Sequence, residues 1–372
     1  LKKIILFGFG KSGKKMISAY TKYKCNFNVI AIADNYATCS SYMGIPVIFP
    51  KNIPLYDYDE IWICTVYYKQ IQTQLVDELK IDSSKIQYIE YPMPFLEERI
   101  RTKYNKEISG NNICADDEKL EVINYLSCNP ARMYCYSFYD QCMKNKENIY
   151  YDNIENLYYG IYESKKVYLS EEYDSFEKAS SYFTFVCLEQ HIASPHRYIS
   201  ANFNIESGEV GIDIGAAEGI FALQIIDKVE HVYLIESDEN WINALHITFK
   251  PFKDKITFIK AFISDKSINN AFRLDDLFFN KKIDFIKMDI EGEEFNALKG
   301  ANSIIQKNSP KLAICTYHYK DEYKEIKQFL EENNYKCNHS KGFLLCQGDW
   351  ELEKDETDFR RALLFAKPIS AR

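Results

Sequence analysis

The sequence predicts an α/β protein: a C-terminal Rossmann-like sheet, a smaller N-terminal Rossmann-like α/β domain and a mostly helical connector. Three observations carry this. Apolar runs of strand length end in small-residue loops that open into helices at two places, Lys3 to Gly13 and Val210 to Gly219. Each is followed by a second apolar run closed by an acid, Asp34 and Glu236. Between them, from Pro92 to about Asn202, no glycine loop occurs and apolar residues take helical spacing. A chain of 372 residues suffices for two buried cores, with expected boundaries at 1–95, 96–200 and 201–372.

Taken in order, Lys3-Ile4-Ile5-Leu6-Phe7 is the first strand, and Gly8, Gly10 and Gly13 form G-x-G-x-x-G before a helix. Val29 to Ala33 is the next strand, and 34 minus 13 places Asp34 21 residues after the last glycine. Glycines admit a ligand close to the backbone, a helix start offers N–H groups, and a strand-end acid can hold ribose hydroxyls. Pro46 to Ile48, Glu60 to Thr65 and Lys85 to Ile89 supply further strands, with a helix near Ile71 to Leu79. Gly10-Lys11-Ser12 is not a P-loop, because that motif needs glycine where Ile5 stands. Three uses compete for Gly8, Gly10, Gly13 and Asp34: a nucleotide or nucleotide-sugar site, an NAD site, or a degenerate fold for packing or dimerisation. The NAD reading suffers from the little room left before the second lobe.

In the connector, Leu120, Ile123, Asn124 and Ser127 read as a helix, and an exposed break is expected between Lys103 and Asp117, around Asn111 and Asn112. Tyr150, Tyr151, Tyr158, Tyr159 and Tyr162 suggest an aromatic floor for a glycan or simple compositional bias. Cys128, Cys135 and Cys142 recur every seven residues, which fits one helix stripe better than a zinc site lacking a fourth ligand.

The C-terminal lobe is the more informative. Val210 to Ile214 is a strand, Gly215-Ala216-Ala217-Glu218-Gly219 its loop, and Glu236 closes the next strand 236 minus 215, or 21, residues on. The missing third glycine leans toward S-adenosylmethionine over a dinucleotide. Ile283 to Met288 ends in Asp289-Ile290-Glu291-Gly292, whose two carboxylates share one side of an extended chain. Lys311 to Tyr317 brings His318 to another strand exit. Ligands of open α/β sheets sit outside the carboxyl ends of the strands, so Asp213, Glu236, Asp289 and His318 should converge.

Asp213 to Gly219, Glu236, Lys287-Met288-Asp289-Ile290-Glu291-Gly292-Glu293-Glu294 through Gly300, and Tyr317-His318 together resemble the FkbM-like S-adenosylmethionine-dependent methyltransferases, over roughly residues 185 to 367. Ser194-Pro195-His196-Arg197-Tyr198 is similar to the lead-in of the branch that modifies bacterial surface glycans. The resemblance implies methyl transfer to a sugar hydroxyl or related alcohol, with a sugar, nucleotide-sugar or glycolipid acceptor, in a family whose substrates vary widely. Residues 1 to 92 resemble small Rossmann-like domains of bacterial sugar-modifying proteins.

A sulfonium methyl is already activated, so the protein must align a hydroxyl and remove its proton. An imidazole titrating near pH ~6.5 suits His318 as base. Asp289 would orient it or hold the acceptor, and Glu291 would bind a second hydroxyl. Cofactor contacts are expected from Asp213 at the amino acid end, Gly215, Ala216, Glu218 and Gly219 in the loop, Glu236 and Ser237 at the ribose, and Ala261 and Phe262 at the adenine. His196 and Arg197 are placed near the acceptor. Each has a bland competitor: His318 as a structural histidine, Glu291 as a helix N-terminal acid, His196 and Arg197 as ordinary surface loop. A divalent cation on the carboxylates is conceivable, but no further ligand is placed by spacing.

The net charge of −8 disfavours a general nucleic-acid binder. No run reaches the ~20 apolar residues of a membrane span, and eleven cysteines without a C-x-x-C pair read as reduced thiols, so a cytoplasmic location is expected. A homo-oligomer is compatible with all of this. Two other functions stay in view: a nucleotide-sugar oxidoreductase or epimerase run from the N-terminal loop, and a noncatalytic glycan-binding scaffold.

Overall fold

The structure, a computed structural model, describes residues 1–369 apart from 24, 66, 111–115, 347 and 348. Asn111 and Asn112 of the expected break therefore lie outside the described residues. The chain forms two compact units: Leu1–Cys114 with Leu126–Met133 and Leu345–Asp358, and Ala115–Tyr125 with Tyr134–Leu344 and Phe359–Arg372.

The first unit is built on six strands, β1 (Lys2–Phe7), β2 (Phe27–Ala33), β3 (Ser41–Tyr42), β4 (Ile45–Ile48), β5 (Glu60–Ile63) and β6 (Ile86–Tyr88), in the order β3-β4-β2-β1-β5-β6. All pair in parallel except β3 with β4. Alternation along β1 decides the layers. Ile4 and Leu6 pack with Met16 and Ile17 of α1 (Lys11–Lys22) and Phe95 and Leu96 of α3 (Met93–Lys103). Ile5 and Phe7 pack on the other face with Ile71 of α2 (Tyr68–Thr73) and with Leu75. Both faces are covered, as a parallel sheet requires.

The expected connector contains α3, α4 (Asn105–Ile108), α5 (Asp117–Cys128), α6 (Ser137–Lys144) and α7 (Phe176–Glu189). Over Ile149–Tyr168 the helical expectation gives way to an antiparallel meander, β7 (Ile149–Asp152), β8 (Leu157–Tyr162) and β9 (Lys165–Tyr168). Asp152 accepts from the Ile154 and Glu155 amides in the first turn, and Glu163 and Ser164 adopt positive φ in the second. The tyrosines pair across strands, Tyr150 with Tyr159 and Tyr151 with Tyr158 at 5.5 and 4.9 Å between ring centres. Cys128 ends α5, Cys135 lies between helices and Cys142 sits in α6, so the seven-residue spacing does not make a single stripe. None of the ten cysteines among the described residues is in a disulfide.

The second unit contains seven strands in the order β12-β11-β10-β15-β16-β20-β17. These are β10 (Val210–Ile214), β11 (His231–Glu236), β12 (Ile256–Lys260), β15 (Phe285–Met288), β16 (Lys311–Cys315), β17 (Tyr335–His339) and β20 (Leu363–Pro368). Short strands β13 (Phe262–Ile263) and β14 (Ala271–Phe272) pair with each other, and β18 (Leu344–Leu345) and β19 (Phe359–Arg360) complete the count. Only β20 runs against its neighbours in the main sheet. Ile212, Ile214, Ile286 and Ile314 face a core with Leu298, Ile304 and Leu330. Those three belong to α11 (Glu294–Lys299), α12 (Asn302–Asn308) and α13 (Glu322–Glu332), which follow α8 (Ile220–Ile225), α9 (Glu239–Thr248) and α10 (Leu274–Leu277) and precede α14 (Asp349–Lys354). Phe203, Phe221, Phe285 and Phe365 pack together within this unit at ring-centre spacings of 6.1 to 6.4 Å. No helix of the described residues is long and apolar enough to cross a membrane.

Candidate functional site

The exits of β10, β11 and β15 meet because one residue between them has no side chain. Gly215 adopts φ +72, and a Cβ there would lie 1.8 Å from the Asp289 carbonyl oxygen. Its amide and that of Ala216 donate to the Ile235 carbonyl, at 2.9 and 3.2 Å, which folds the loop back over β11. Glu236 then accepts from the amides of Ala217, Ser237 and Asp238 at 2.9, 2.7 and 2.9 Å. Three amides hold this carboxylate in one orientation.

A cavity of about 500 Å³ opens at these exits. Its wall contains the expected Gly215, Ala216, Glu218, Glu236, Ser237, Ala261, Phe262, Asp289 and Glu291. Sequence reasoning missed Tyr182, Glu189, Tyr198, Trp241 and Lys287, which line it too. Among the described residues of the wall, Glu189, Glu218, Glu236, Asp238, Asp289, Glu291 and Glu293 set seven acids against the one ammonium of Lys287, although burial pushes Glu189, Glu218 and Glu291 up toward their neutral forms. Such a wall favours a cationic ligand and opposes a diphosphate.

Asp213 and Gly219 stand outside the wall. Asp213 is fully buried beside Lys287, its neighbour in register on β15, with 3.0 Å between Nζ and Oδ1. Burial pushes the Asp213 carboxyl up while Lys287 pulls it down. Burial also opposes the Lys287 ammonium, but Asp213 and Asp289 outweigh it and raise its pKa. Lys287 donates to the Gly215 carbonyl at 2.6 Å, so the pair fixes the glycine loop from behind. The expectation that Asp213 meets the cofactor's amino acid end is not matched by this placement; its contact is Lys287. A lysine inside the apolar run Ile283 to Met288 was the available signal.

Asp289 is the hub of the opposite wall. It accepts from the Tyr198 hydroxyl at 2.7 Å, with His196 Nε2 and His318 Nε2 each 3.6 Å from its oxygens. Burial alone would push its carboxyl up, but His196, Lys287 and His318 hold it down at about 2. Burial lowers His196 to about 4, leaving it neutral near pH 7, so the standing charges beside Asp289 are Lys287 and His318.

His318 departs from its expected role. Burial works against its charge, but Glu294 at 3.2 Å, Asp289 and Glu322 raise it to about 9. It is an imidazolium at neutral pH, and it is absent from the cavity wall. Glu322 accepts from the His318 and Tyr319 amides at 2.9 and 3.3 Å, and Glu294 from Ile290 at 2.7 Å. Burial and the Glu294 charge raise Glu322 to about 8. Pro195 does not expose the next residues: His196 is 2 % exposed, and Arg197 donates to the Ile199 carbonyl at 3.0 Å. Neither lines the cavity. Glu291, at φ +56, is exposed and precedes α11, whose first-turn acid is Glu294. Among the described residues, His196, Asp289 and Cys315, and likewise Asp289, Glu294 and His318, could hold a metal ion. In the second group the imidazolium itself supplies the positive charge.

Residues 257–337 match the family model described as the methyltransferase FkbM domain, and residues 1–87 match that described as C2185-like, N-terminal. The first match includes Asp289 to Glu294 and His318 but begins after the glycine loop and Glu236. A search of the curated proteins found no match. Among solved structures, methyltransferase FkbM from Methylobacillus flagellatus is 18% identical, with 98% of this chain and 90% of that chain covered and a TM-score of 0.45. Precorrin 8w decarboxylase from Methanobacterium thermoautotrophicum is 13% identical, covering 44% and 83%, with a TM-score of 0.31. Aeropyrum pernix fibrillarin, solved with natively bound S-adenosyl-L-methionine, is 13% identical, covering 58% and 84%, with a TM-score of 0.32. These similarities are too low to assign function, and the match over 257–337 covers part of the C-terminal lobe.

Proposed function

We propose that this chain, whose residues 257–337 match the methyltransferase FkbM domain, transfers a methyl group from S-adenosylmethionine to a hydroxyl of a sugar, nucleotide-sugar or glycolipid. The observation that supports this most is the acid-rich cavity at the strand exits, with Glu236 fixed by three amides on its wall. A sulfonium and an ammonium suit a wall in which acids outnumber the one ammonium; a pyrophosphate does not. Glu236 and Ser237 would hold the ribose, Ala216 and Glu218 the loop side, and Ala261, Phe262 and Trp241 the adenine. Bound there, S-adenosylmethionine supplies a methyl group already activated on sulfur.

This chain's part is to hold the acceptor hydroxyl and take its proton. Asp289 is suited to both, since it lines the cavity and is ionised at neutral pH. An alcohol oxygen becomes strongly acidic as it is alkylated, so even a carboxylate held at about 2 accepts its proton. His318 acts through Asp289, as a charged neighbour that fixes the carboxylate, and Tyr198 fixes its other oxygen. Exposed Glu291, which lines the same cavity, would accept from a second sugar hydroxyl.

Incubating the purified chain with S-adenosylmethionine and a panel of sugars, nucleotide-sugars and glycolipids, and reading products by mass spectrometry, tests the assignment. Gain of one methyl by an acceptor, lost in Asp289→Asn, is expected. Turnover of the donor with methylation only of nitrogen or carbon would contradict hydroxyl chemistry.

A further inference from the structure

Methyl transfer leaves the N-terminal crevice unused. We propose that this crevice binds a nucleoside diphosphate, with the phosphates on the Gly8–Gly13 loop and the ribose on Asp34. The site is built from the first unit alone and stands whether or not the second unit transfers methyl groups.

The cavity, about 570 Å³, is walled by Gly8, Asp34, Cys64 and Thr65, the residues that follow β1, β2 and β5. β1 lies between β2 and β5, so the connections diverge to opposite sides at this point, the place where open α/β sheets bind ligands. Gly13 closes the helix start onto the strand exit: a Cβ there would lie 1.8 Å from the Gly8 carbonyl oxygen. Gly10 is different. A Cβ at Gly10 would meet nothing within 4 Å, so the middle of the loop borders open space. No side chain caps α1, its first turn carries no acid, and exposed Lys11 lines the crevice, which together favour an anion there.

Asp34 repeats the plan of Glu236. One oxygen accepts from the Phe9 amide and the other from the Tyr36 amide, both at 2.7 Å. A carboxylate offers about four lone-pair sites, so an acceptor remains on each oxygen for ribose hydroxyls. Tyr36 and Tyr67, 87 % and 63 % exposed, also line the crevice and offer ring faces to a base. The sheet decides between one nucleotide and two. Among the described residues, the sheet has β5 and β6 alone on the far side of β1, so the first mononucleotide half is complete and the second is a strand short.

Calorimetric titration of the full chain with ADP, GDP, CDP and UDP, and with NAD for comparison, tests this. At least one diphosphate is expected to bind, and Gly10→Val should weaken it about tenfold or more by filling the open space. Asp34→Asn and Lys11→Glu should weaken it as well, the latter at an exposed position that folding does not need. Affinity for S-adenosylhomocysteine should be unchanged in all three. The proposal is overturned if none of the four binds, if binding survives both Gly10→Val and Lys11→Glu, or if NAD binds more tightly than every diphosphate.

Discussion

Asp289 and Lys287 are the residues on which the chemistry and the stability of the site most depend. Replacing Asp289 by Asn keeps its size and its contact with Tyr198 but removes the carboxylate proposed as the proton acceptor. Turnover should fall by about 10²- to 10⁴-fold with little change in S-adenosylhomocysteine affinity, measured by single-turnover kinetics and calorimetry. The pH profile separates Asp289 from His318. With Asp289 ionised far below neutral and His318 charged up to about 9, the rate should be level through neutral pH and fall as pH passes about 9. A rate that climbs toward pH 9 would restore neutral His318 as the base. Lys287→Met would leave Asp213 buried without its counter-ion, costing about 3–5 kcal/mol in urea denaturation. The double change with Asp213→Leu should recover most of that loss, because an apolar pair carries no uncompensated charge. The sequence made Asp289, Glu291 and Glu236 legible because each closes an apolar run. The charge on His318 was not legible, since it comes from Glu294 and Glu322, brought from α11 and α13.

At the scale of elements, the strand-loop-helix units were the readable part, because a strand packed on both faces is a continuous apolar run and its exit is marked by glycine. Gly215 shows how much depends on that mark. Gly215→Ala would need both a strained backbone and a displaced β15 exit, so it should destabilise the second unit by more than about 1 kcal/mol and abolish cofactor binding, read by thermal melts and calorimetry. Normal binding in a well-folded Gly215→Ala protein would show that the loop does not cradle the ligand. The β7–β9 meander was hidden for the opposite reason. Tyrosine fits a pleated surface as readily as a helix face, and its turns at Asn156 and at Glu163 and Ser164 adopt positive φ without glycine to announce it.

Across the whole molecule, the two-lobed organisation was legible from two glycine loops, whereas the excursions of Leu126–Met133 and Leu345–Asp358 into the first unit were not, because long-range packing leaves no local pattern. Stability should follow the buried histidines. His318 has its pKa raised in the folded state, so its contribution is complete below about 6.5 and is lost as pH rises through about 9. Glu322, raised from 4.5 to about 8, adds a loss in the same direction that begins above about 4.5 and is complete above about 8. His196 is lowered, so its contribution is present above about 6.5 and is lost as pH falls through about 4. Melting temperature should therefore be highest across about pH 4.5 to 6.5, where the His196 gain and the Glu322 loss offset each other, and decline on both sides, with the alkaline decline reduced in His318→Asn. The most direct measurement is titration of the purified chain with S-adenosylhomocysteine, alongside Glu236→Gln. Saturable one-to-one binding, weakened by roughly 1.5–3 kcal/mol in the variant, is expected. Absence of binding by the well-folded wild-type chain, or equal affinity in the variant, would contradict the placement of the methyl donor in this cavity.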